Sequence, residues 1–357
     1  MPDRLRRSLT QSLLLAAVLP VVPPAFAQSR QRGSARINVR DHGAAGNGVK
    51  DDTRAIQAAI DALPSAGGTV EVPPGDYLID PLVSVKLRSR MHLSMSPGTR
   101  LLAKPNAAER AYVLYAAQVR DLEISGGRII GERSKHLGTT GEWGHGLMVR
   151  GSDGVTIRDM HISHCWGDGI SVGGFKAGSV ITPSTDVLIE RVQCVGNRRQ
   201  GLTIGRTRRV RVYDSSFLDT GGTLPSAGID VEPDSGDGAA DILIARCTVR
   251  GNRGAGIQLY KRVSDATVRE CLIESNRGHG VLALGAHDCS IENNRIRLNG
   301  LGGVGVRPGA KRITLSRNEF YDNGPRSKSR DGRGRRHVSI AEAAVAVRVD
   351  EDNRFLN

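Results

Sequence analysis

Apolar residues alternate with other residues in short bursts along this chain, and the bursts return on a regular beat. Aligned on a glycine followed by two apolar positions separated by one, they read GLMV at 146, GISV at 169, GLTI at 201, GIDV at 228, GIQL at 256, GVLA at 280 and GVGV at 303. The spacings are 23, 32, 27, 28, 24 and 23 residues. Each unit carries a second alternating stretch, such as VTIRD at 155 or VRVYD at 210, and a third, such as CTVRGN or CLIESN. Period-two alternation predicts strands. One coil of three short strands cannot bury its own apolar face, but stacked coils bury it against each other. The pattern therefore predicts an all-β solenoid, a parallel β-helix, with regular rungs over 144–325. Asparagine recurs four residues before the next aligned glycine, at Asn197, Asn252, Asn276 and Asn299. That column predicts a ladder of side-chain amides running along the stack.

Ahead of the rungs, DDTRAIQAAIDAL changes the period to that of a short amphipathic helix. Asp52 or Thr53 is placed to cap it, with acidic residues in the first turn. Such a helix would close the open end of the stack, where strand edges are otherwise unpaired. The segment 37–79 matches, through Gly43, Ala44, Gly46, Gly48, Asp51, Asp52, Ala55, Ile56, Gln57, Ala59, Ile60, Gly67, Gly68, Val70, Gly75 and Tyr77, a motif that resembles the start of the pectate-lyase/rhamnogalacturonase-type β-helix superfamily. His42 and Asn47 depart from it, standing where Phe and Asp are usual. The resemblance covers about residues 36–357 and implies a right-handed parallel β-helix. It implies less about the reaction, because this scaffold hosts lyases, hydrolases, epimerases and phage tailspikes.

Residues 1–27 depart from the repeat altogether. Arg4, Arg6 and Arg7 precede the apolar LLLAAVLPVV, and AFA closes the segment. This order predicts a signal peptide, with residues 28–357 as one exported domain, periplasmic or secreted. No later run approaches the length of a membrane-spanning helix, so no membrane insertion is expected. The net charge is +13, and loss of three arginines and one aspartate with residues 1–27 leaves +11. A basic exported protein points to an anionic partner, an acidic polysaccharide rather than a nucleic acid. Part of that charge sits in RSKSRDGRGRR at 326–336, expected to be a basic loop. The five cysteines, at 165, 194, 247, 271 and 289, show no metal-ligand spacing and read mostly as small buried residues.

In the first strand of each rung, the residues one and three after the glycine should point inward, and those two and four after it outward. Most outward positions are small, apolar or singly polar. The rung at 228 differs, because GIDVE places Asp230 and Glu232 together. Two residues apart along a strand, their Cα atoms are about 6.5–7 Å apart. That is close to the spacing of an inverting hydrolytic pair, about 6.5–9.5 Å. With Asp234 they could instead hold Ca²⁺.

His145 and Asp168 share the position before the glycine on adjacent rungs, a candidate acid/base pair. The stretches GHG and GDG around them resemble the short motifs of polygalacturonase-like hydrolases, although the motif order differs and the family's RIK is absent. Arg199, Gln200, Tyr260, Lys261, Trp166 and His279 complete the expected substrate-binding set. Cations there would either neutralise a uronate or pair with Asp230 and Glu232. Trp166 and Tyr260 would stack on sugar rings. These features predict an enzyme that cleaves an anionic polysaccharide, by carboxylate-driven hydrolysis or by β-elimination. A non-catalytic glycan-binding β-helix and a polyuronate C5-epimerase are the alternatives, the latter without the DPH signature usual in mannuronan epimerases.

Overall fold

The computed structural model describes residues 32–233, 238–324 and 337–356. The expected signal peptide, the loop at 326–336 and Asp234 lie outside the described residues. Successive coils build three sheets of parallel strands, twelve, twelve and ten strands long, each strand pairing with its counterpart one coil on. The stack reaches back to Ala35 and forward to Leu356, beyond the span where the repeat is legible.

The ten-stranded sheet carries the candidate chemistry. Its strands are β1 (Val85–Lys86), β2 (Arg110–Ala117), β3 (Trp143–Arg150), β4 (Ile170–Gly173), β5 (Leu202–Ile204), β6 (Ile229–Val231), β7 (Ile257–Tyr260), β8 (His279–Leu284), β9 (Gly302–Arg307) and β10 (Val338–Ile340). Leu147 pairs with Ile170, Ile170 with Leu202, Leu202 with Ile229 and Ile229 with Ile257, so one apolar column runs up the interior. All five are fully buried, each contributing about 1.5–3 kcal/mol of transfer free energy.

The amide ladder is present. Asn252 Nδ2 donates to Asn276 Oδ1 at 2.8 Å, Asn276 to Asn299 at 3.0 Å and Asn299 to Asn323 at 2.9 Å. A second ladder joins Asn294, Asn318 and Asn353. The first is interrupted at Thr220, whose hydroxyl is buried without a partner, as is Asn197 Nδ2. The five cysteines are buried free thiols.

The amphipathic segment forms a helix over Thr53–Asp61, with Ile56, Ala59 and Ile60 in the apolar core. Its start differs from expectation. Asp52 occupies the N-cap position but makes no capping bond, because its carboxylate accepts from the backbone of Ala45 and Gly46. Asp51 accepts from Thr53 N instead, and no acid lies in the first turn.

Candidate functional site

The outer face of the ten-stranded sheet is not simply solvated. Met148, Ser171, Asp230 and Gln258 occupy outward positions on β3, β4, β6 and β7, yet all are buried. One wall is a small antiparallel hairpin, Phe175–Ala177 with Val180–Thr182, inserted after β4. Alternation assigns a side chain to a face, but only the inserted loops decide whether that face meets water.

Asp230 has no exposed surface. Its Oδ2 accepts from Gln200 Nε2 at 2.7 Å and its Oδ1 from Gln258 Nε2 at 3.1 Å. Gln200 is held in that orientation by Ala227 N, which donates to its Oε1 at 2.9 Å. Burial pushes the Asp230 carboxyl well above the usual carboxylate range; the Glu232 charge adds to this and Arg199 opposes it. The two carboxylates repel, and this adds to the burial that raises Asp230. Asp230, with both oxygens engaged by buried amides and no exposed surface, does not itself face a substrate on this side of the sheet. Buried amides hold Asp230, and the Arg199 guanidinium lies beside Glu232. Glu232, with about a third of its side chain exposed, is the open member of the pair.

Arg199 joins this pair to the second cluster. Its guanidinium lies 3.4 Å from Asp168, 3.4 Å from Glu142 and 3.6 Å from Glu232. Burial disfavours its charge, but the surrounding carboxylates outweigh burial and raise its pKa. Asp168 is fully buried and also accepts from Thr203 Oγ1 at 2.8 Å; burial raises its pKa against Arg199 and Thr203. His145 Nδ1 lies 3.5 Å from Asp168 Oδ2, so the structure brings the expected pair together. That nitrogen, however, accepts from the backbone N–H of Asp168 at 2.9 Å. It therefore carries no proton for the carboxylate. Burial, followed by the charges of Arg199, Arg150 and Arg110, holds His145 neutral far below its ordinary range.

The remaining expected residues divide. His279 lies higher on the sheet, where Arg307 Nη2 donates to its Nε2 at 2.7 Å; burial and then Arg307 bring its pKa down to about 4. Lys261 reaches over the Tyr260 ring at 5.3 Å and pairs with no carboxylate among the described residues. Trp166 is not an open platform for a sugar. His136 stacks on it at 3.8 Å and the Arg198 guanidinium lies 3.8 Å above it, and two groups so close cannot share one face. Of the expected Ca²⁺ set, only Asp230 and Glu232 can be placed. Both Asp230 oxygens already accept from amides, Asp234 lies outside the described residues, and no group of three His, Cys, Asp or Glu suited to a metal occurs among the described residues.

A concavity on this face has no signature in the repeat. It encloses about 610 Å³ and is lined by Arg110, Tyr112, Tyr115, Met148, Arg150, Gly174, Phe175, Lys176, Ile181 and Arg206. Tyr112 stacks on Tyr115 at 5.5 Å and on His145 at 5.6 Å, which ties the cavity to the buried network. Burial raises the Tyr112 phenol, with Arg110 and Arg150 opposing. None of Arg110, Arg150, Lys176 and Arg206 pairs with a carboxylate among the described residues. Tyr112 and Tyr115 belong to β2, a coil without the aligned glycine, so the repeat does not reach them. The alternation in RAYVLYAA was their one available signal.

The comparisons with known proteins agree with this architecture. The model for the right handed beta helix region matches residues 139–273 and 228–355. That for rhamnogalacturonase A/epimerase, pectate lyase-like, matches 36–130. The chain belongs to the right-handed β-helix family. It is 31% identical over 229 residues to the uncharacterized protein YclG of Bacillus subtilis, covering 58% of this chain and 39% of that one, so it spans about two fifths of that relative. It is 63% identical over 43 residues to the mannuronan C5-epimerase AlgE6 of Azotobacter vinelandii, 12% of this chain and 5% of that one. The AlgE6 A-module superposes with a TM-score of 0.59 at 19% identity, covering 90% and 99% of the two chains. PfbA, a surface adhesin of Streptococcus pneumoniae, superposes at 0.64 with 16% identity, covering 90% of each. At these identities the superpositions establish the fold alone.

Proposed function

We propose that this chain is an exported enzyme acting on an anionic polysaccharide, and that it cleaves a uronate-containing chain by β-elimination in the cavity over β2–β4. The observation that carries the reading is the convergence of Arg110, Arg150, Lys176 and Arg206, unpaired among the described residues, on the same cavity as Tyr112 and Tyr115. Cations without partners suit a ligand that brings the negative charge. Here the helix over Thr53–Asp61 closes the first end of the stack, and residues 1–27 direct export.

β-Elimination needs three things. The uronate carboxylate is neutralised, which acidifies the C5 proton; Arg110 and Arg150 do this. A base removes that proton, and its electron pair forms the C4–C5 double bond as the C4–O bond breaks. The departing oxygen then takes a proton from an acid. Tyr112, kept protonated by burial, is the acid that gives its proton to the departing O4; Tyr115, stacked on it, takes the C5 proton only after its own phenolic proton has passed to solvent. His145 and the Asp168–Arg199–Glu232 network hold this face in place. Hydrolysis is less well supported, because Asp230 is wholly buried with both oxygens held by amides and so is not presented to a glycosidic bond.

C5-epimerisation is the second reading, favoured by the likeness to AlgE6. It shares the proton abstraction and returns a proton to the opposite face without breaking C4–O. A panel of polyuronates and neutral glycans separates the readings. New ultraviolet absorbance from the double bond supports elimination, reducing ends without absorbance support hydrolysis, and inverted C5 by NMR supports epimerisation. Binding with none of the three makes the chain a glycan-binding β-helix and ends the enzyme proposal.

A further inference from the structure

Several arginines on the stack are matched to carboxylates one coil away. Arg191 pairs with Asp159 at 2.6 Å, Arg209 with Asp186 at 2.7 Å, Arg246 with Asp214 at 2.7 Å and Arg317 with Glu292 at 2.8 Å. The turn that leads into the ten-stranded sheet carries arginines without such partners among the described residues. There the residue after the asparagine-ladder position is Arg198, Gly221, Arg253 and Arg277 on successive coils. Each backbone N–H donates to the coil below, Arg198 to Cys165, Gly221 to Asn197, Arg253 to Thr220 and Arg277 to Asn252.

Arg253 leans into the gap above Gly221, where a Cβ would fall 2.5 Å from its side chain. Arg133 enters the same gap and donates to the carbonyls of Gly196 and Gly221. Four guanidinium groups thus form a column, and none pairs with a carboxylate among the described residues. Arg253 and Arg277 are exposed. They line a second hollow of about 320 Å³ with Gly254, Gln258, His279 and Leu282, and no acid lines it.

We propose that this hollow and its arginine column form a distal binding site for the anionic groups of the same polysaccharide. It requires that the glycan be anionic, as proposed above, but not that the reaction be elimination. From β3 to β7 is four strand steps, about 19 Å at the usual 4.7–4.9 Å spacing. One strand step is comparable with the length of one hexuronate unit. A polymer lying along the face therefore reaches both sites, whereas a short oligomer in the cavity over β2–β4 does not. Ligand charge would relieve the repulsion along the column, and simultaneous engagement raises affinity without new contacts at the reacting unit.

The test is a binding measurement that needs no turnover. Polygalacturonate and alginate, each as polymer and as trimer, are titrated against wild type, Arg253→Ala/Arg277→Ala and Arg253→Lys/Arg277→Lys, with dextran and duplex DNA as comparison ligands. The alanine variant is expected to lose at least tenfold in affinity for whichever polyuronate the wild type binds, and most of the salt sensitivity of that binding. Trimer affinity stays unchanged, and the lysine variant recovers most of the loss. Equal polymer affinity in wild type and alanine variant, with Arg110→Ala/Arg150→Ala still abolishing it, overturns the distal site alone. Tighter binding of DNA than of either polyuronate overturns the glycan assignment. No salt-sensitive binding of either polymer by the wild type overturns this site and the proposed function together.

Discussion

The backbone N–H of Asp168 donates to His145 Nδ1 at 2.9 Å, and this one bond decides what the imidazole can do. With Nδ1 occupied as an acceptor, the ring proton resides on Nε2. The neighbouring carboxylate then lies beside a nitrogen that has no hydrogen to share. His145 is a neutral, positioned ring that supports Tyr112, rather than half of a proton relay.

Nitrogen-15 NMR should accordingly show His145 as the Nε2–H tautomer, with no titration between about pH 5 and 8. The linkage has a definite sign. The folded pKa lies below the unfolded value of about 6.5, so the unfolded chain binds the proton first. His145 therefore reduces stability as pH falls below about 6.5, by about 1.4 kcal/mol per pH unit until the folded group titrates. In His145→Gln, denaturant unfolding measured across that range should lose this part of the slope.

Asp230→Asn tests the buried carboxyl. Its new NH₂ group would face the Nε2 of Gln200 or Gln258, and Gln200 cannot turn without losing the bond from Ala227 N. A loss of about 1–3 kcal/mol is expected. The pH dependence runs opposite to that of His145. A raised carboxyl pKa gives a contribution fully present below the unfolded value, about 3.9, and lost as pH rises through the folded one. The stability gap between wild type and variant should therefore narrow with rising pH, as read by chemical denaturation.

Arg199→Ala should be among the costliest substitutions on this face, at about 3–5 kcal/mol, because Asp168 would stay buried with Thr203 as its remaining side-chain donor. Glu232→Gln should cost less than about 1 kcal/mol, since that group is partly solvated. Urea midpoints of the two variants give the comparison directly.

For catalysis, Tyr112→Phe should lower kcat by about 10²–10⁴-fold with little change in KM, as expected for loss of a proton donor. Arg150→Ala should raise KM and also lower kcat, because in the proposed elimination it binds the uronate and stabilises the charge that develops on proton removal. Steady-state rates on the active polyuronate, with circular dichroism to confirm the fold, separate the two effects.

Thr220→Asn should stabilise the protein by about 1 kcal/mol. It would give the unpartnered Asn197 Nδ2 an acceptor and join Asn197 to the run from Asn252 to Asn323. Asn276→Ala, which removes both donor and acceptor from the middle of that run, should cost about 1–3 kcal/mol. Thermal unfolding of both variants should move in opposite directions.

The solenoid is legible in the residue pattern alone. Period-two alternation, the returning glycine and the asparagine column are local patterns repeated at nearly constant spacing, and each coil needs only its neighbours to be satisfied. The residue pattern also singled out Asp230 and Glu232, which break the repeat, His145 and Asp168, which share one column on adjacent rungs, and Arg199 as a neighbouring cation, and the structure gathers them into one network. Tertiary structure decided what they can do. Alternation says which face a side chain takes; it does not say that a hairpin covers that face, that amides already occupy Asp230, or that His136 and Arg198 cover Trp166. Nor does it join Tyr112 and Tyr115 to Arg206, which lie about 90 residues apart along the chain and meet only because the coils stack.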